Sequence, residues 1–163
     1  MLRLTATVCI DAPAGTVWRA LARLEDLVLW SEPVISARCE PGRSGGVGAE
    51  RICQLKGGIT LTERWSAWEE GHAFTYEGTG IPLVRRARNT WTVHPHGADR
   101  TLLESNAEVE VKGGPLGRLL EPLLAWQSRR LGQRSLAAFK HLVEHGTPPS
   151  AKHSRLPRIP ATC

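Results

Sequence analysis

The stretch Pro115–His145, PLGRLLEPLLAWQSRRLGQRSLAAFKHLVEH, limits what this chain can become more than any other. It is the only segment long and apolar enough to cover a sheet, and everything before it reads as short alternating runs. With Leu116 as origin and a step of about 100° per residue, Leu116, Leu120, Leu123, Leu124, Leu131, Ala138 and Leu142 share one broad stripe. Leu119 and Phe139 lie at its edges, and Arg118, Arg129, Lys140 and Glu144 fall outside it. The pattern predicts an amphipathic helix lying on a core. Pro122 lacks a backbone donor and is expected to kink it. Gln127 and Arg134 fall near the middle of the stripe. Polar residues there point to a core that is partly open.

The preceding residues supply the sheet. Leu2–Ile10 alternates and reads as a first strand. Asp11 is the expected N-cap and Pro13 stands near the first helical position. One or two short helices follow through Val17, Leu21, Leu24 and Val28, ending at Pro33. Alternating runs are then expected at Val34–Glu40, Val47–Leu55, Ile59–Trp68, His72–Glu77, Val84–Val93 and Thr101–Val111, separated by turns rich in glycine and proline. Hairpin links of this length favour one antiparallel sheet with helices on one side, an α+β fold. Residues 1–146 are expected to form the domain. Residues 147–163 (TPPSAKHSRLPRIPATC) are proline-rich and basic, and are expected to be a disordered tail.

Three of the five net positive charges, Lys152, Arg155 and Arg158, belong to that tail, so the body is close to neutral. No interleaving of aromatic and basic residues supports a nucleic-acid partner. No apolar run approaches the length of a membrane span, and Thr5 and Asp11 interrupt any signal-peptide core. A cytoplasmic protein without stable membrane insertion is therefore expected. Cys9, Cys39, Cys53 and Cys163 show neither CxxC nor zinc spacing. A hairpin centred near residue 46 would set Cys39 opposite Cys53, where small buried hydrophobes are expected rather than a disulfide. His141 and His145 have i,i+4 spacing but sit at a helix C-terminus, where surface imidazoles suit the dipole. No nucleophile elbow, P-loop or dinucleotide fingerprint is present, and no metal or cofactor is expected.

The residues IDAPAGTVWRALARLEDLVLWSEPV resemble the opening of the START-like, polyketide cyclase/dehydrase superfamily. VGAERICQL, LTERWSAWEEGHAFTYEG and the closing FKHLVE are similar to its hairpins and final helix, and the likeness spans about residues 2–145. It implies a helix-grip fold: a curved seven-stranded antiparallel sheet wrapped around a long C-terminal helix, with two short helices after the first strand. It also implies a cavity for apolar or aromatic molecules. Only some members of the superfamily catalyse a reaction, and they share no catalytic set.

Side chains alternate across a strand, which assigns inward sets. These are Ile59, Leu61, Glu63, Trp65 and Ala67; Phe74 and Tyr76; Ala87, Asn89, Trp91 and Val93; and Leu103, Ser105, Ala107, Val109 and Val111. Each set is apolar with one polar intruder: Glu63, Tyr76, Asn89 or Ser105. Turn positions bring Glu63 near Tyr76 or Gly78, Tyr76 near Asn89, and Asn89 near Ser105 or Ala107. The intruders thus form a row, expected beneath Gln127 and Arg134 of the helix. A plain structural account pairs Glu63 with Arg134. A functional one makes the row the polar line of an apolar cavity, with Trp30, Trp65, Tyr76 and Trp91 as aromatic walls. Trp18, Trp68 and Trp126 are expected to be more exposed, as mouth, surface or homodimer contacts. Three functions stay open. The first is binding of an apolar, lipid- or polyketide-like ligand; the second is a cyclase or dehydratase using Glu63 as acid and base, oriented by Tyr76 and Asn89; the third is a protein-interaction module.

Overall fold

Strands β2 (Val34–Cys39), β3 (Glu50–Leu55), β4 (Ile59–Glu69), β5 (Ala73–Thr79), β6 (Val84–His96) and β7 (Arg100–Val111) follow one another as antiparallel hairpins. Strand β1 (Leu2–Ile10) pairs with β7, giving a seven-stranded sheet in the order β1-β7-β6-β5-β4-β3-β2. The chain must therefore cross from one sheet edge to the other between β1 and β2. Helix α1 (Ala14–Leu21), a 3-10 turn at Leu24–Asp26 and the single-turn helix α2 (Leu27–Trp30) make that crossing. Helix α3 (Gly114–His145) returns after β7. This is the arrangement expected from the alternation and from the long periodic segment. The computed structural model describes residues 1–150 and 162–163, with residues 114–121 described by their backbone alone.

The core lies between the sheet and these helices. Val8, Ile10, Val17, Leu103, Leu136, Ala138 and Phe139 are all but sealed from solvent. Trp30 stands edge-on to Phe139 at 5.1 Å and to Trp91 at 6.0 Å, so α2 is clamped between α3 and β6. Trp18, expected near the surface, is buried. It packs on Trp68 at 5.5 Å and on Phe74 at 5.8 Å, and Glu70 accepts hydrogen bonds from both the Trp18 and Trp68 indoles. A register shift between Trp65 and Ala67 explains the change of side. An extra residue in β4 reverses the parity beyond it, so Ala67 is exposed and Trp68 turns toward the core. Only Trp126 is as exposed as expected.

Other local expectations need correction. Asp11 does not cap α1, which starts after Pro13 without a side-chain cap. The Asp11 backbone N–H instead donates to Glu144 at the far end of α3 (2.7 Å). The β2–β3 hairpin is centred one residue earlier than expected, so Cys53 faces Ala37 and Cys39 faces Arg51. Strand β6 continues through Pro95 to His96. Its ladder with β5 has ended by Thr92, so the missing Pro95 N–H costs no bond on that side. In the β5–β6 connection Gly80 has φ +101°, and a Cβ there would sit 2.1 Å from the Thr60 carbonyl oxygen. No residue but glycine fits.

Cys9, at the end of β1, forms a disulfide with Cys163, a pairing the spacing of the cysteines did not signal. Residues 151–161 of the expected tail lie outside the described residues, but its last residue is thus covalently tied to the domain. A crosslink across 154 positions restricts the unfolded chain. Denaturation and alkylation without reductant should label Cys39 and Cys53 alone, the two free thiols. Mass spectrometry showing four labels would contradict the crosslink.

Candidate functional site

Between the sheet, α2 and α3 lies a cavity of about 340 Å³. Its walls are mostly apolar: Leu4 and Ala6 from β1, Leu61 from β4, Trp91 from β6, Ala107 and Val109 from β7, Trp30 from α2 and Leu136 from α3. Ile81, from the loop in which Gly80 permits the close approach to β4, completes one side.

The polar row crosses this wall. Glu63 faces Gly78, Tyr76 faces Asn89, and Asn89 faces Ala107, with Ser105 one diagonal step away. Ser105 Oγ donates to Asn89 Oδ1 at 3.0 Å, and Asn89 Nδ2 donates to Tyr76 Oη at 3.2 Å. Burial pushes the Tyr76 phenol up to about 12; the nearby Glu63 carboxylate adds to this, while Arg51 and hydrogen bonds from Asn89 and Trp91 work against it. The phenol is therefore neutral over the physiological range.

Glu63 is paired with Arg51 rather than with Arg134. The two residues are direct cross-strand partners on β3 and β4, and both are nearly inaccessible, at 4% and 3% exposure. Arg51 Nε and Nη2 reach Glu63 Oε2 at 2.7 and 2.6 Å, and Nη1 donates to the Leu24 carbonyl oxygen. The guanidinium also lies 5.1 Å from the centre of the Trp65 ring. Burial is the largest single influence and opposes the charge of Arg51, but the Glu63 carboxylate together with Tyr76 and Cys53 outweighs it and raises the guanidinium's pKa. A buried arginine with each nitrogen engaged is tolerated because both its charge and its donors are matched. Cys53 Sγ lies 3.6 Å from the same Glu63 oxygen. Burial drives that thiol to about 12 despite Arg51, so it stays protonated and is a poor nucleophile.

Of the residues expected at the site, Trp30, Glu63, Tyr76, Asn89, Trp91 and Ser105 line the cavity together. Trp65 does not. It is buried behind Tyr76 with ring centres 5.0 Å apart, and its indole N–H has no partner among the described residues. Gln127 and Arg134 do not reach the cavity either: Gln127 is exposed, and Arg134 turns away to Glu32, 3.5 Å distant. The helix meets the cavity with Ser128, Gly132 and Ser135, beside Leu131 and Leu136. A stripe centred on apolar residues misplaced this face, because a helix bordering an open space carries small residues there. Leu123, inside the expected stripe, is 60% exposed. The signal was nevertheless in the sequence: Ser128, Gly132 and Ser135 recur at i, i+4 and i+7. Arg51 had a signal too, since it shares a strand face with Cys53 and Leu55.

The family model described as polyketide cyclase / dehydrase and lipid transport matches residues 1–144. The chain belongs to this family. The START-like, helix-grip architecture agrees with solved structures across the superfamily. Norcoclaurine synthase from Thalictrum flavum superposes with a TM-score of 0.69 at 18% identity, covering 88% of this chain and 94% of that one. Zhui aromatase/cyclase from Streptomyces sp. R1128 gives 0.67 at 17% identity, covering 91% and 99%. The di-domain ARO/CYC BexL gives 0.71 at 21% identity; 91% of this chain matches 48% of that one. At these identities the likeness establishes the fold. No curated protein matches the chain. Membership of the polyketide cyclase/dehydrase and lipid transport family supports a ligand-binding or cyclase role. No helix among the described residues is long and apolar enough to cross a membrane.

Proposed function

We propose that this family member binds an apolar small molecule, aromatic or lipid-like, between its sheet and α3. The observation that carries the reading is the cavity of about 340 Å³, walled largely by Trp30, Trp91 and aliphatic side chains and crossed by a hydrogen-bonded polar line. That volume and lining suit a small-molecule site. A cyclase or dehydratase activity in the same cavity is the second reading, favoured by the position of Glu63 on the wall. The commitment of its Oε2 to Arg51 and Cys53 leaves only the other carboxylate oxygen for proton transfer. Binding without turnover is therefore the reading preferred here. A cytoplasmic setting belongs to this proposal, and the Cys9–Cys163 disulfide is the observation against it, since such bonds persist in oxidising compartments.

Titration with 2-ethylnaphthalene, followed by quenching of tryptophan fluorescence, tests the reading. Trp30 and Trp91 lie on the cavity wall, so saturable one-site quenching is expected. A response that is linear in ligand, or absent, would remove it.

A further inference from the structure

The polar atoms on the cavity wall can be counted as donors and acceptors. Ser105 uses its proton on Asn89 Oδ1, and Asn89 uses an amide proton on Tyr76 Oη. Tyr76 thus accepts a hydrogen bond from Asn89 and, among the described residues, makes none with its own proton. That proton is the spare donor of the chain, and Tyr76 lines the cavity. The charges beside it are closed on each other, with Arg51 held by Glu63, so this part of the wall offers a carboxylate no free cation. Arg129, a cation on the lining, is exposed.

We propose that the ligand carries an uncharged carbonyl oxygen, as a ketone, aldehyde, ester or quinone does, and that the Tyr76 hydroxyl donates to it. The inference rests on the reading of the cavity as a small-molecule site and narrows the class of molecule. A plain hydrocarbon leaves the phenol proton unpaired, and a carboxylate would sit beside Glu63. The carbonyl satisfies the donor without bringing a charge into the apolar space.

Wild type and Tyr76→Phe are each titrated with 2-acetylnaphthalene and 2-ethylnaphthalene, again by tryptophan quenching. The substitution should weaken the ketone about fivefold, the worth of one neutral hydrogen bond. It should change the ethyl compound less than about twofold, which also shows that the variant is folded. Equal changes for the two compounds overturn the carbonyl assignment while leaving the cavity reading standing. Failure of both compounds to bind wild type removes the cavity reading, and the assignment with it.

Discussion

Gly132→Phe is expected to weaken 2-ethylnaphthalene binding at least about tenfold without lowering the melting temperature. Gly132 lies in the middle of α3, where glycine costs roughly 0.5–1 kcal/mol relative to alanine. Nothing lies within 4 Å of the position its Cβ would take, and the residue lines the cavity. A side chain added there enters the space assigned to the ligand. A phenylalanine ring occupies much of that space and buries its own surface, so binding is lost while stability holds. Gly132→Ala provides the control: it should raise the melting temperature by a few degrees, on the order of 1 kcal/mol at about 2–4 °C per kcal/mol. A glycine that helix propensity disfavours is then explained by the cavity it leaves open. Unchanged naphthalene affinity in Gly132→Phe, with the melting temperature maintained, would show that ligand does not pass under α3.

The second large effect is at the buried pair. Arg51→Met should cost about 3–5 kcal/mol, because it leaves the Glu63 carboxylate in the interior without its partner. The melting temperature should then fall by about 6–20 °C. Arg51→Met combined with Glu63→Leu should recover most of the loss, since an apolar pair of similar volume suits the surroundings of Trp65 and Cys53. Urea denaturation of the two single variants and the double variant gives the coupling. A single-variant loss below about 1 kcal/mol would mean that the pair is not the buried, mutually dependent unit seen across β3 and β4. Because Glu63 also faces the cavity, the pair fixes one wall of the site as well as stabilising the sheet.

Much of the sheet was legible in the sequence because period-two alternation and hairpin turns together set strand register. Turns at Gly71 and around Gly80 put Glu63 near Tyr76 or Gly78 and Tyr76 near Asn89, and the sheet has Glu63 opposite Gly78 and Tyr76 opposite Asn89. Parity failed where β4 inserts an extra residue: beyond the irregularity at Trp65–Ala67 the inward side chain is Trp68. Nothing in ITLTERWSAW marks that irregularity. The helix failed differently. Its N-terminal leucines defined an apolar stripe, but the half beneath the sheet presents Ser128, Gly132 and Ser135 to the cavity and buries Leu136 and Phe139. Periodicity finds faces that must be filled; an empty site shows itself as small residues in the same rhythm. The partner of Glu63 was misassigned because Arg134 was placed on the inner face, whereas Arg51 was already two residues from Cys53 on the adjacent strand.

Native mass spectrometry of the protein as purified, beside Gly132→Phe, tests the central claim most directly. The account predicts wild type carrying a non-covalent adduct that gentle activation releases as a neutral small molecule, and Gly132→Phe without it. An adduct equally abundant in both would place the ligand outside the cavity. Wild type at its bare mass, even after incubation with excess 2-acetylnaphthalene and 2-ethylnaphthalene, would contradict the claim that this cavity is a binding site.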